Sequence, residues 1–364
     1  MKKLIALLLA LAMVLSLAAC GQKQEEAPEV SPEDTQPVYE TEPVQKQIHV
    51  LLPEAAEGWE AAAAAKAMEE VDTLLAEGAY KVEVAKYADA QQQSELLLKI
   101  AAGSTGDGSQ ALVTMPGSPA MEEEFAKLLE ANVAYSLADT IPAAAEAASV
   151  TNVCYDEYAI GAAVAAWLVE NGLTQNDKVV ILQGISEEEA QRTEGFQKYL
   201  QGKLPCDGVV IAEPWTSTEN IVYSDMQGQT AESAANYFIT YMEESDHAAT
   251  KYIAAWDDTY VLGVLDALEG ESISAGNKGK FLEGAPFIAG CGGSQAMLDV
   301  LAGNSQYTNL ESLGGIRTVV RSADLLKIAL QVMADYLSNA VVPQDNTQPI
   351  IWATPENASE FTGY

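Results

Sequence analysis

Histidine is nearly missing from this chain: His49 and His247 are the only two in 364 residues. Imidazole-based metal sets and His-assisted nucleophiles are hard to build from so few. No G-x-S-x-G elbow and no G-x-x-x-x-G-K-[ST] phosphate loop occurs, and GNKGK from Gly276 lacks that spacing. GCGGSQ from Gly290 opens like a dinucleotide fingerprint, but Gln295 stands where the third glycine is needed. Asp257 and Asp258 are paired only in sequence, and adjacent side chains generally point apart. The reading is therefore not an enzyme: no catalytic residue, no cofactor and no metal. Cysteine is also scarce, with Cys20 near the start and Cys154, Cys206 and Cys291 far apart. That odd trio gives no disulfide framework and no metal spacing, so each reads as a small buried apolar residue. Positive charge is the third shortage, with 19 Lys and Arg against 53 Asp and Glu and a net charge of −34. Such a surface repels phosphate backbones, which excludes nucleic acid as a partner.

The longest apolar run covers residues 4–17, after Lys2 and Lys3 and before Ala18-Ala19-Cys20. A positive start, an apolar stretch and a small-residue exit are the parts of a secretory leader, too short and one-sided for a lasting membrane span. Leu17-Ala18-Ala19-Cys20-Gly21 resembles the lipobox of bacterial lipoproteins. That resemblance implies removal of residues 1–19 and acylation of Cys20. Buried acyl chains contribute about 0.8 kcal/mol per methylene, and two together anchor stably. Residues 20–47 then form a lipidated cysteine and a stalk rich in Glu, Gln and Pro, too poor in aliphatics to order itself. At a rise of about 3.1 Å per residue the stalk reaches roughly 80 Å. The expected location is the outer face of a cell membrane, held there by lipid.

The remaining residues are too many for one ordinary core and suggest two domains. Short β-branched runs alternate with alanine-rich helical patterns, the signature of parallel sheets covered by helices on both faces. Strands are expected at IHVLLP from Ile48, YKVEVAKY from Tyr80, ALVTMP from Ala111, VAYSLA from Val133 and SVTNVCY from Ser149. A second set follows at KVVILQG from Lys178, GVVIAEP from Gly208, KYIAAWD from Lys251, PFIAGCG from Pro286 and IRTVV from Ile316, with PIIWAT from Pro349 near the end. In the helix expected from Glu157, Asp156 suits the N-cap, Gly172 suits the left-handed stop, and Gly161, Ala162, Ala165 and Ala166 allow close packing on a sheet. Ten or eleven strand–helix units are about twice what one doubly wound sheet uses. Two similar lobes are the economical answer.

Four segments carry a resemblance: DEYAIGAAVAAWLVENG from Asp156, VVILQGISEEEAQRTEGFQKYLQG from Val179, YIAAWDDTYVLGVLDALEG from Tyr252 and GCGGSQAMLDVLAG from Gly290. Their order and spacing, with the tail PIIWATPENASEF, resemble the ribose-type, type I periplasmic sugar-binding proteins. The resemblance covers essentially everything after Ile48, and Arg192-Thr193-Glu194-Gly195-Phe196 is its most specific piece. It implies an α/β fold of two Rossmann-like, doubly wound lobes joined by a three-segment hinge. Residues 48–154 and 322–346 would form the first lobe, and 155–321 with 347–364 the second. It also implies capture of a small polar ligand, foremost a sugar, and delivery to an ABC transporter permease. A ligand-sensing lipoprotein of the same fold, presenting a signal molecule to a membrane receptor, is the alternative.

In open α/β sheets ligands sit beyond the carboxyl ends of the strands. That rule selects Trp59, Asp139, Arg192, Trp215, Asp257 and Arg321 as ligand-binding residues, with Trp256 and the loop Cys291 to Gly293 close by. Indole faces suit the C–H faces of a sugar ring, while carboxylates and guanidinium forks suit adjacent hydroxyls. Asp258 reads as the N-cap of the helix at Thr259. The resemblance places a hydroxyl-binding Asp at Asp139, with Thr140 where an Arg usually follows. It places a sugar-binding Arg at Arg192, Asp257 where an Asn is common, and Arg321 where an amide is usual. Met115 stands in place of a polar residue and Gly292 in place of an Asp. Those two departures point away from ribose itself, toward another sugar, a modified one, or a non-sugar polar metabolite.

Overall fold

Both faces of the short β-branched runs are covered, which is why those runs read as near-continuous apolar stretches. In the computed structural model, which describes residues 45–364 apart from 225, 227, 245 and 246, they form two sheets. The leader, Cys20 and most of the expected stalk lie outside the described residues. The first sheet holds β1 (Gln47–Pro53), β2 (Lys81–Tyr87), β3 (Gln110–Thr114), β4 (Ala134–Ala138), β5 (Asn152–Cys154) and the late strand β11 (Asp345–Thr347). Its order is β11-β5-β4-β3-β1-β2, parallel throughout. The second holds β6 (Val179–Leu182), β7 (Ile221–Tyr223), β8 (Tyr252–Ala255), β9 (Phe287–Gly292), β10 (Gly315–Val320) and β12 (Ile351–Ala353). Its order is β12-β10-β9-β8-β6-β7, and only β12 runs antiparallel to its neighbour. Among the described residues no helix is long and apolar enough to cross a membrane.

Helices α1 (Gly58–Glu77), α2 (Ala90–Gly103), α3 (Glu122–Glu130) and α4 (Ala143–Glu146) alternate with the first strands. The chain then passes over to α5 (Glu157–Glu170), α6 (Glu187–Leu200), α7 (Ala231–Met242), α8 (Asp258–Glu269), α9 (Ala275–Glu283) and α10 (Gln295–Leu301). After β10 it passes back, because α11 (Leu325–Leu337) packs against α1, β3, β4 and β5. It passes over once more between β11 and β12, so three segments join two doubly wound lobes.

Helix α5 shows how sequence sets position. Asp156 accepts from the Ala159 amide at 2.9 Å as the N-cap, and Gly172 just beyond the helix takes φ +93°. Gly161 meets another helix rather than a sheet. A Cβ on Gly161 would fall on the Arg192 carbonyl, and one on Gly195 would fall on that of Tyr158. Only glycine at both points lets α5 and α6 touch backbone to backbone. Phe196 of α6 is fully buried, its ring 6.1 Å from that of the equally buried Trp256. Burial of a large apolar side chain of this kind contributes about 1.5–3 kcal/mol.

One expected strand does not form. In GVVIAEP, Asp207 and Gly208 take φ +48° and +77°, and Cys206 and Val209 exchange two backbone hydrogen bonds of 2.8 Å. Positive φ at both central residues is the tight hairpin turn that Asp-Gly favours. The run therefore folds back on itself with Val209 and Val210 exposed, and IVY at Ile221–Tyr223 takes the place beside β6.

Candidate functional site

Residues beyond the carboxyl ends of strands in both sheets line one cleft of about 520 Å³. Pro53 ends β1, Met115 follows β3 and Asp139 follows β4; Trp256 and Asp257 follow β8, and Arg321 follows β10. Arg192 reaches the same space from α6.

Four charged side chains interlock there. Arg192 donates from Nε to Glu157 at 2.5 Å and from Nη1 to the Trp256 carbonyl at 2.6 Å. Arg321 donates from Nη2 to Asp139 at 2.7 Å, and the same nitrogen lies 3.4 Å from the other Glu157 oxygen. Glu157 thus stands between two guanidiniums, and two acids balance two bases in a place where an unpaired charge would be costly. Burial pushes the Asp139 carboxyl up and Arg321 opposes it. Burial alone would lower Arg321, but Asp139 and then Glu157 carry it above its ordinary value. Asp139 is held in the left-handed region at φ +64°, its amide bonded to the Val153 carbonyl at 2.8 Å. Asp is among the few residues that tolerate this conformation, and it aims the carboxylate at Arg321.

The second lobe builds a hydrogen-bonded wall. Glu189, buried in the first turn of α6, completes a capping box with Ser186, and its two oxygens accept from the Tyr260 hydroxyl at 2.8 Å and the Gly184 amide at 2.9 Å. Trp256 donates from Nε1 to Thr193 Oγ1 at 2.6 Å. The first lobe supplies Trp59, whose ring centre lies 5.2 Å from the Arg321 guanidinium carbon and whose Nε1 is buried without a partner among the described residues. Tyr87 donates to the Met115 carbonyl at 2.5 Å, and Gln93 donates to that carbonyl and to Thr114 Oγ1. At Met115, then, the polar group near the cleft is the backbone carbonyl, already occupied.

The N-cap expected of Asp258 falls to its neighbour. Asp257 is the N-cap of α8, accepting from the Thr259 amide at 2.7 Å, although it also lines the cleft. Asp258 is fully buried and clamps the loop after β9, accepting from the amides of Gly293 at 2.6 Å and Ser294 at 2.8 Å and from Thr318 Oγ1 at 2.5 Å. Burial pushes Asp258 up to about 6 against those hydrogen bonds. A Cβ on Gly292 would lie 2.7 Å from the Tyr364 hydroxyl and 2.9 Å from an Asp258 oxygen, so no side chain fits there. Cys291 is buried, and burial raises its thiol to about 12; Cys154, half-buried, is raised to about 11.

Trp59, Asp139, Arg192, Asp257 and Arg321 therefore line one cleft. Trp215 does not. It packs with Leu173 and Ile211 beside a separate groove of about 460 Å³, its amide bonded to the Leu200 carbonyl at 2.7 Å. The cause is the hairpin at Asp207-Gly208, which removes the strand whose end Trp215 was expected to follow. Glu157, Glu189, Tyr87 and Tyr260 are contributors the sequence reading missed. Glu157 and Glu189 stand in the first turns of their helices, where acids are common, and so give no signal of their own in the sequence.

A family model described as "Periplasmic binding protein domain" matches residues 48–341. No curated protein matches this sequence. Among solved structures, the chain is similar to an ABC transporter solute-binding protein from Bacillus halodurans with bound myo-inositol, at 16% identity and a TM-score of 0.63, covering 87% of this chain and 96% of that one. It is also similar to a periplasmic solute-binding protein from Actinobacillus succinogenes with bound D-allose, at 17% identity and TM-score 0.61, covering 87% and 100%. A third is a periplasmic ribose ABC transporter protein from Conexibacter woesei, at 15% identity and TM-score 0.64, covering 87% and 94%. At such identities these structures speak for the fold alone.

Proposed function

This chain belongs to the periplasmic binding protein domain family, and from that premise we propose that it captures a small polar ligand, foremost a sugar, between its lobes and hands it to an ABC permease. It is a binding protein and not an enzyme. The observation that carries this reading is the single cleft in which strand ends of both sheets bring together indole faces, carboxylates and guanidiniums. Relatives of the same fold that hold D-allose and myo-inositol support it. Trp59, Asp139, Arg192, Asp257 and Arg321 are the proposed ligand contacts. Residues 48–154 with 322–346 are proposed as one rigid lobe and 155–321 with 347–364 as the other. A ligand touching both lobes shifts an open form toward a closed one, since only the closed form is held from both sides.

We also propose that residues 1–19 are a lipoprotein leader and that Cys20 carries the acyl anchor, which keeps the protein on the outer membrane face near its permease. The lipobox-like residues before Gly21 support this. Replacing Cys20 by Ala should release the protein into the medium; retention on the membrane would remove the anchor from the proposal. For the ligand, tryptophan emission and melting temperature are followed against a panel of sugars and polyols. Silence across the whole panel would sink the sugar reading.

A further inference from the structure

The side chains that line the cleft carry an imbalance of charge. Its lining contains two cationic side chains, Arg192 and Arg321. Both are already engaged by Asp139 and Glu157, so those four groups balance one another. Six further carboxylates line the same space, Glu54, Glu60, Asp89, Glu188, Glu189 and Asp257, with no additional Lys or Arg. Glu54, Glu60 and Asp89 are exposed at the mouth, where a chain this acidic has carboxylates everywhere. The inner three carry more weight. Glu189 is buried and its hydrogen bonds come from neutral donors, the Tyr260 hydroxyl and the Gly184 amide, while its charge also acts on Arg192, which Glu157 already pairs. Asp257 likewise accepts from a neutral amide, that of Thr259. Glu188 has no hydrogen bond or ion pair among the described residues, and its charge acts on Asp139.

In this cleft carboxylates outnumber cations, and a positive group on the ligand would complement the excess. A metal ion is a poor candidate, because among the described residues no three His, Cys, Asp or Glu converge as a ligand set. A diffuse negative wall facing aromatic surfaces suits an organic ammonium better. Trp59, partly exposed in the same cleft, offers a ring face, and ring faces attract such cations.

We propose that the molecule bound here carries a protonated amine beside its hydroxyls: an amino sugar or an aminated polyol, its ammonium facing Glu188, Glu189 and Asp257. The proposal rests on the sugar-capture reading and narrows its ligand class. Glucosamine, galactosamine, mannosamine and their amino-alditols are titrated calorimetrically into the full-length chain beside the matched neutral sugars and the N-acetylated derivatives. At least one amine should bind at least tenfold tighter than both its neutral parent and its N-acetyl form. The gap should narrow as salt is raised and close as pH passes the amine's own pKa. Neutral members binding as tightly as the amines would overturn the charge assignment and leave sugar capture standing; no binding by any member would overturn both. Glu188→Gln should weaken the amine about tenfold more than it weakens the matched neutral sugar. Equal weakening of both classes would count against the assignment.

Discussion

Asp139, just past β4 in one sheet, and Arg321, just past β10 in the other, share a 2.7 Å ion pair inside the cleft. The two lobes are thus joined by a bond between side chains, and Glu157 at the first crossing, 3.4 Å from Arg321, ties it to the hinge.

Removing one partner should be worse than removing both. Arg321→Met leaves Asp139 and Glu157 buried without their shared cation, and breaking a buried pair costs about 3–5 kcal/mol. A double-mutant cycle with Asp139→Asn, read by urea denaturation, should give a coupling of at least about 1 kcal/mol. Additive losses would mean that the two groups do not support each other.

The backbone contact between α5 and α6 makes its own forecast. Gly161→Ala must push the Arg192 carbonyl away and with it the guanidinium bonded to Glu157. Overpacking of this kind costs about 1–3 kcal/mol or more, and ligand affinity should fall along with stability. Gly276→Ala, in a helix and with nothing within 4 Å of the added carbon, should be neutral or slightly stabilising. Equal melting temperatures for the two variants would refute the close-packing argument.

Acid should stabilise the fold through Asp258. Its folded value of about 6 lies above the ordinary 3.8, so folding takes up a proton between those two values. The contribution grows as pH falls from about 6 toward 3.8, by about 2–3 kcal/mol, while above 6 the penalty for burying the charge is fully present. Asp258→Asn should flatten the pH dependence of stability in that window. Parallel curves for the two proteins would show that Asp258 titrates as it does in the unfolded chain.

The two tryptophans that the sequence reading selected as ligand-binding should behave differently. Trp59→Phe should lose most of the ligand-induced change in emission and weaken binding about tenfold, since it removes an indole face from the cleft. Trp215→Phe should leave both intact. A response that survives the first change and vanishes with the second would place the ligand in the groove beside Leu173 instead.

What the sequence disclosed was what depends on local pattern. Runs such as VVIL at Val179–Leu182 and IHVLLP at Ile48 are apolar on both faces because the sheets are covered on both faces, and the two sheets follow from their number. The rule about strand ends found five cleft residues for the same reason. It failed at Trp215 because VVI was counted as a strand while the Asp-Gly turn before it, a strong hairpin signal, was passed over. The N-cap fell on Asp257 rather than on the expected Asp258 because a one-residue shift in helix start decides which carboxylate caps and which turns inward. Glu157 stayed hidden because its partners, Arg192 and Arg321, are 35 and 164 positions away, and nothing in a single chain announces a contact that far along it.

The three crossings have a temporal meaning as well. A chain leaving the ribosome exposes β1 to β5 early, yet their sheet lacks α11 and β11 until the other lobe has been synthesised through β10. The early sheet must wait with β3, β4 and β5 uncovered where α11 will lie, which favours slow maturation and gives a chaperone something to hold. No single cut yields either half as an unbroken polypeptide, so neither lobe is a natural fragment.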